Sequence, residues 1–348
     1  MISKITINDF RQFKNKEIYL AKRITILAGR NSTGKSTILG ILANCAEIKK
    51  NEGTTYSGKQ FRAEFSEIFH GSEKFDLAGS NRIRIDVVDE LGQSVDYREF
   101  RTAWQNNDNK KRFRIIPFKK IDANKKTEAK MQFPVLYLGL SRLYPIGEAE
   151  KNNIESKAIK FSEESDLQWF KEKYKNILSI NDEISKVDSF RIKETDKKAG
   201  VAIITDKYDE LANSSGQDNL GQILMALLSF KKLKKTTSNW RGGLLLIDEV
   251  DSTLHPAAQK RLFDIMQKES ERIGIQTIVT THSSDLLKHV CSKTKFNNNS
   301  KVNEIEIYYF TNANRVLEIK RNISFPSIKN DLLIESMSEI DKLKVYSE

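Results

Sequence analysis

The chain of 348 residues has little cysteine, proline or histidine: two Cys, five Pro and four His. Each shortage closes off a class of function. Cys45 and Cys291 stand far apart in ordinary segments, so neither a disulfide framework nor a cysteine-based metal site is indicated. Both read as plain core or surface thiols. No apolar run reaches the roughly 18 residues needed to span a bilayer. Met1-Ile2-Ser3-Lys4-Ile5 enters a strand pattern with no signal-peptide core, so a cytoplasmic protein without a membrane partner is expected. There is no internal repeat and no sustained heptad pattern, which excludes a long coiled coil. What is plentiful is charge, 30% of residues against 39% hydrophobic, with a net charge of +11 that suits contact with nucleic-acid phosphates. Much of the excess lies in Lys110, Lys111, Arg112, Arg114, Lys119, Lys120, Lys125, Lys126 and Lys130, which in sequence face only Asp122 and Glu128. Charge runs are as readily solvated faces, so nucleic acid stays an open partner.

The most informative stretch is Gly29-Arg30-Asn31-Ser32-Thr33-Gly34-Lys35-Ser36-Thr37. It fits G-x-x-x-x-G-K-[ST] between an apolar strand, Ile24 to Ala28, and a helical run from Ile38 to Ala46. Glycines let the backbone curl until successive N–H groups point at a phosphate, and a helix N-terminus adds partial positive charge. Lys35 is then placed to reach the β- and γ-phosphates and the Ser36 hydroxyl to ligate Mg²⁺. A second element is Leu244-Leu245-Leu246-Ile247 running into Asp248-Glu249. Such a strand end offers Asp248 to the metal shell and Glu249 as general base on an attacking water. The next apolar strand ends at Thr281-His282, where His282 can sense the γ-phosphate, so three strand ends converge on one phosphate.

Apolar periodicity places strands at Lys4–Ile7, Lys16–Leu20 and Arg23–Ala28, and a helix from Lys35 to about Glu47. Phe61, Phe65 and Phe69 recur at helical spacing between Lys59 and Gly71. Alternation at Arg82–Val88, Val95–Phe100 and Phe113–Phe118 predicts an antiparallel sheet, and Pro134–Gly139 a buried strand. Ile154–Val187 reads as helical, with Trp169, Phe170, Tyr174 and Leu178 packed, followed by a hairpin from Phe190 to Thr205. Tyr208–Ser215 is a loop, and Leu220–Lys231, Pro256–Ser270 and Asp285–Val290 are helices. Asn297–Asn299 reads as a surface loop, and Glu304–Phe310 with Val316–Lys320 as a terminal hairpin. The order predicts an α/β fold, a mixed core sheet with an antiparallel flank and a small helical lobe. The expected divisions are 1–145, 146–206 and 207–348.

These motifs carry a family resemblance over most of the chain. Gly29 to Thr37, Asn213-Ser214-Ser215-Gly216-Gln217, Leu244 to Glu249 with Asp251-Ser252-Thr253-Leu254-His255-Pro256, and Thr281-His282-Ser283-Ser284 resemble elements of ABC-type ATPases. In order, they are similar to the Walker A, signature, Walker B, D-loop and switch-His segments. Asp9-Phe10-Arg11-Gln12-Phe13 and Leu254-His255-Pro256 resemble the SMC, RecF and OLD branch. The resemblance implies a P-loop NTPase of ABC-head type whose homodimer, or higher oligomer, sandwiches two ATP molecules. It implies that Arg11, Gly29, Asn31, Ser32, Thr33, Gly34, Lys35, Ser36 and Thr37 hold nucleotide, and that Ser214, Ser215 and Gly216 complete the site of a second copy. Ser36 and Asp248 would hold Mg²⁺, and Glu249, His282 and Lys35 would serve hydrolysis of ATP to ADP and phosphate. Ser215 stands where the signature usually has Gly, and His255 replaces the usual D-loop aspartate. The Q-loop place falls to Gln60, Gln132 or the strand end from Gly139 to Arg142.

Compact ATPases with Leu-His-Pro and Thr-His-Ser-Ser motifs resemble the ATPase parts of OLD, Septu-like and retron-associated phage-defence systems. That implies a regulatory or sensing subunit. From His282 to Glu348 there is no room for a TOPRIM-type nuclease domain, and no H-N-H constellation occurs, so an effector such as a nuclease is expected on a separate polypeptide. The alternative is a RecF- or SMC-like DNA-binding ATPase in which the basic stretch grips a duplex.

Overall fold

Short, fully buried strands set the centre of the molecule. The computed structural model describes residues 1–332 other than 108–109, 123–124, 194–198, 210–211, 295–302 and 313–315. The expected loop at Asn297–Asn299 therefore lies outside the described residues. The chain opens as a hairpin, β1 (Ile2–Phe10) and β2 (Phe13–Tyr19), crosses into β3 (Ile24–Gly29), and turns through the glycine loop into α1 (Lys35–Ala43). After β4 (Ala46–Glu47) and the single turn α2 (Phe65–Ile68) come the long strands β5 (Gly79–Val88), β6 (Ser94–Asn107) and β7 (Lys110–Lys120). The short strands β8 (Lys126–Thr127), β9 (Met131–Gln132) and β10 (Val135–Leu138) follow. Next are β11 (Ile154–Ala158), α3 (Glu164–Leu178), β12 (Ile184–Ile192) and β13 (Ala199–Thr205). The last part runs α4 (Ser215–Thr236), β14 (Leu244–Ile247), α5 (Pro256–Ile273), β15 (Gln276–Thr281) and α6 (Ser284–Lys293). It ends with β16 (Ile305–Thr311), β17 (Glu318–Arg321) and α7 (Phe325–Leu332).

The central sheet has the order β10-β14-β15-β3-β16-β17, parallel except for the antiparallel edge β17. Strands buried on both faces read as continuous apolar runs, and β14 is one. Leu245 and Ile247 enter one core with α3, α4, α5 and α6, while Leu244 and Leu246 enter a second core with α1 and the flanking sheet. That flank is the antiparallel order β2-β1-β5-β6-β7-β8. The α/β class, the mixed core sheet and the antiparallel flank are thus as the sequence predicts.

Three helical expectations shorten. α1 stops at Ala43 because the Asn44 side chain turns away, donating from Nδ2 to the Ile115 carbonyl at 2.7 Å, and Ala46–Glu47 pairs with Met131–Gln132 instead. Between Lys59 and Gly71 only Phe65–Ile68 is helical. Phe61 packs on Phe230 in one core while Phe65 packs on Phe113 in the other, so the regular spacing serves two separate cores. Ile154–Val187 contains strand at each end around α3, whose buried face is Phe170, Tyr174 and Ile177 with Trp169 and Leu178 half-buried. Ser179, with φ 55°, ends that helix in the left-handed region.

The basic stretch finds acids that sequence proximity hides. Lys111 pairs with Glu73, Arg114 with Glu64, Lys119 with Asp96, and Lys130 with both Glu47 and Glu64. Within the stretch Lys126 pairs with Glu128.

The turn from β3 into the glycine loop leaves no room for a side chain. A Cβ at Gly29, where φ is +132°, would lie 2.0 Å from the Phe310 carbonyl oxygen. Gly29→Ala is expected to cost about 3 kcal/mol or more in denaturant unfolding. Gly58→Ala, at φ +77° but in open space, should cost about 1 kcal/mol. Equal losses would contradict the packing argument.

Candidate functional site

Parallel pairing of β14, β15 and β3 brings their C-terminal ends side by side, and the site forms there. Ser32 and Gly34 adopt positive φ of 58° and 86°, curling the loop so that α1 starts at Lys35 with no side-chain cap on its first turn. Lys35 is nearly buried and donates from Nζ to the carbonyls of Gly29 and Arg30 at 3.0 and 2.7 Å. Burial pushes its ammonium down to about 8, against the opposing pull of Asp248, Glu249 and Asp251. Thr33 Oγ1 donates to the Arg30 carbonyl at 2.8 Å and fixes the loop from inside.

Asp248 ties the strand ends together. Its Oδ1 accepts from Ser36 Oγ at 3.0 Å and Thr280 Oγ1 at 2.6 Å, and Tyr137 OH approaches Oδ2 at 3.4 Å. Glu249 has φ 49°, its N–H donates to Thr280 Oγ1 at 2.6 Å, and its Oε2 accepts from Ser252 Oγ at 2.9 Å. His282 is held below its ordinary pKa by burial first and by the nearby Lys35 charge second, so its ring is neutral at pH 7. Arg11 sits at φ 53° with its guanidinium over the Phe10, Phe65 and Phe69 rings, at 5.5, 5.3 and 5.1 Å from their centroids. It is bidentate to buried Asp76, with Nε–Oδ1 2.9 Å and Nη2–Oδ2 3.2 Å, and reaches Thr37 Oγ1 at 3.5 Å.

These groups surround one cleft of about 670 Å³. It brings together Arg11, Asn31, Ser32, Thr33, Gly34, Lys35, Ser36, Thr37, Asp248, Glu249 and His282. Ser214 and Gly216 line a different cleft of about 550 Å³, with Thr253, His255 and Arg261. There Ser214 caps α4 reciprocally with Gln217, and Ser215 is the helix's first residue. Neither Gln60, bonded to the Ile48 carbonyl, nor Gln132, in β9, lines the first cleft. Sequence reasoning did not single out Gln12, Phe69 and Thr280, which do line it, nor Asp76, bonded to Arg11, and Tyr137, bonded to Asp248. Thr280 stands next to the Thr281-His282 pair, which was a signal. Asp76 gave none, because its partner Arg11 is distant in sequence. Also unforeseen is Asp331 in α7, which accepts from Arg30 at 3.1 Å and from Tyr309 OH at 2.6 Å, joining α7 to the phosphate loop.

A phosphate-type loop at the end of a parallel strand, facing a second strand's carboxylates, defines a P-loop nucleotide-binding fold. A family model described as "AAA domain, putative AbiEii toxin, Type IV TA system" matches residues 24–288, and the chain belongs to that family. Curated relatives are "Methionine import ATP-binding protein MetN 1" of Oceanobacillus iheyensis, 34% identical over 61 residues, and its Photorhabdus laumondii counterpart MetN, 29% identical over 103 residues. These matches cover 18% and 29% of this chain, and only 18% and 27% of the relatives' own length. Among solved structures the chain is similar to the SMC head domain from Thermotoga maritima, at 15% identity and TM-score 0.42, covering 92% of this chain and 98% of that one. It is also similar to the recombination mediator protein RecF-ATPrS in the RecFOR pathway, at 14% identity and TM-score 0.44, with the same coverage. The family and the curated relatives agree with the ABC-type ATPase class read from the motifs. Among the described residues no helix is long and apolar enough to cross a membrane.

The position of Lys35 makes a pH prediction. A group titrating near 8 in the free protein must be charged to face a phosphate, so nucleotide binding above that pH takes up a proton. Affinity should therefore fall as pH rises from about 7 to about 9. Calorimetry in buffers of different ionisation heat should show proton uptake in the wild type. Lys35→Arg, which stays charged, should lose the dependence. Wild-type binding without proton uptake would contradict this environment for Lys35.

Proposed function

We propose that the chain binds and hydrolyses ATP with Mg²⁺ in the first cleft, as a homodimer in which Ser214 to Gly216 of each copy complete the other's site. The observation that carries this reading is the meeting of Lys35, Ser36, Asp248, Glu249 and His282 around one cleft, from three stretches far apart in sequence. Lys35 and the uncapped N–H groups of α1 face phosphate oxygens. Ser36 and Asp248 fit Mg²⁺, a hard cation that takes one or two protein oxygens beside phosphate and water. The ion's contribution when bound is to neutralise charge on the phosphates. Glu249, held by Ser252, takes a proton from the attacking water, and neutral His282 donates to the γ-phosphate. The same reading divides the chain at 1–145, 146–206 and 207–348.

The wider role rests on the resemblance. The chain acts in the cytoplasm as the regulatory or sensing subunit of a phage-defence assembly whose effector is another polypeptide. The family's description, which names a toxin and a Type IV TA system, supports control of a toxic effector. The net charge of +11 favours a second reading, a DNA-binding ATPase of RecF or SMC type. The ion pairs of Lys111, Arg114, Lys119 and Lys130 count against a free basic grip on the outer sheet.

Glu249→Gln should lower turnover by about 10²–10⁴-fold while an ATP-bound dimer accumulates, and Lys35→Ala should lose ATP binding. Wild-type turnover in Glu249→Gln would remove the carboxylate as base. The purified chain should cut neither DNA nor RNA, and cleavage that depends on its own residues would contradict the separate effector. Charge reversal at Lys119, Lys120, Lys125 and Lys126 should leave any nucleic-acid binding unchanged. Loss of salt-sensitive, ATP-dependent binding would favour the second reading.

A further inference from the structure

Arg142 is a buried cation, 3% exposed, just beyond the C-terminal end of β10. Taking a guanidinium out of water is costly unless its donors are met. Here Nη1 donates to the carbonyls of Leu138 and Gly139 at 3.2 and 3.0 Å, Nη2 to the Glu249 carbonyl at 2.8 Å, and Nε to Asn219 Oδ1 at 2.8 Å. Asn219 in turn donates from Nδ2 to the Ser252 carbonyl at 2.8 Å. The turn after β14 is thus gripped at both ends, Glu249 by Arg142 and Ser252 by Asn219. Ser252 Oγ also orients the Glu249 carboxylate.

Asn219 lies in the second turn of α4, the helix whose first residues are Ser215 and Gly216. A Cβ on Gly216 would fall 2.5 Å from the Thr253 carbonyl oxygen, so the start of α4 rests directly on the end of that same turn. Gln222, one turn further along α4, donates to the Arg142 carbonyl at 3.3 Å. One short turn therefore touches the carboxylate of the first cleft and the helix start that lines the second.

We propose that Arg142, acting with Asn219, is a positioning residue that holds Glu249 for hydrolysis and couples it to the α4 start, so that docking of α4 on a second copy sets the carboxylate of the chain that carries it. The inference rests on the homodimeric reading above and assigns the residues that join the two clefts within one chain. Neither residue lines either cleft, and both act through the 249–253 turn.

Arg142→Lys keeps a cation but loses the planar fork of donors, and Asn219→Ala removes the amide's bonds to Arg142, the Ser252 carbonyl and Thr253 Oγ1. Each should leave the dissociation constant for an ATP analogue within about threefold of wild type and lower kcat by about tenfold to a hundredfold. The double variant should be no slower than the slower single, because the two residues form one network. Hydrogen exchange supplies a readout without turnover. ATP should protect amides of 30–37 and of 214–220 in the wild type. In Asn219→Ala the first protection should remain and the second be lost. If Arg142→Lys fails to fold, Asn219→Ala carries the test alone. Unchanged kcat, a matching loss of ATP binding, or full protection of 214–220 in Asn219→Ala would overturn the proposal. A wild-type chain that binds ATP without hydrolysing it would sink the catalytic reading while the exchange arm still decides the coupling.

Discussion

The carboxylate of Asp248 is the joint on which the site depends. Its Oδ1 takes hydrogen bonds from Ser36 at the start of α1 and from Thr280 near the end of β15, and its own backbone directly follows β14. Three elements of different sequence origin are fixed to one another by one buried anion. Removing either hydroxyl leaves charge without its partner in a low-dielectric place, which is why such networks are stable only when complete. With the joint in place, Lys35, Glu249 and His282 face one cleft. Without it, the glycine loop and the acidic strand end would each be an ordinary turn.

Much of this was legible in the sequence, and the reasons are physical. A strand buried on both faces favours a continuous apolar run, and Leu244–Ile247 is one. A loop that needs glycine at strained φ and a lysine at fixed spacing declared itself too, through Gly29, Gly34 and Lys35. Helical spacing misled where it was shared between two cores, as with Phe61 and Phe65, and where a run included strands, as in 154–187. The basic stretch looked unopposed because Glu47, Glu64, Glu73 and Asp96 reach it only through the fold. Arg142 and Asp76 were unreadable as partners for the same reason, since a buried ion or amide pairing across the chain leaves no local pattern.

The two clefts are separate in their lining yet share the 249–253 turn as a wall between them. Ser214 and Gly216 line the second cleft and Lys35 the first, and Ser214 is the exposed cap of α4. That geometry gives a simple division: the glycine loop lines one cleft, and the start of α4 lines the other. In the homodimer we propose, that second surface meets the first cleft of another copy.

A mixing experiment tests this most directly. Lys35→Ala lacks a working phosphate loop, and Ser214→Arg, at an exposed position, blocks the helix start while leaving the loop intact. Each protein alone should be inactive, and mixing them should restore ATP hydrolysis, because one composite site of the mixed dimer is whole. A mixture as inactive as its components, or full activity of Ser214→Arg alone, would contradict a site shared between two chains.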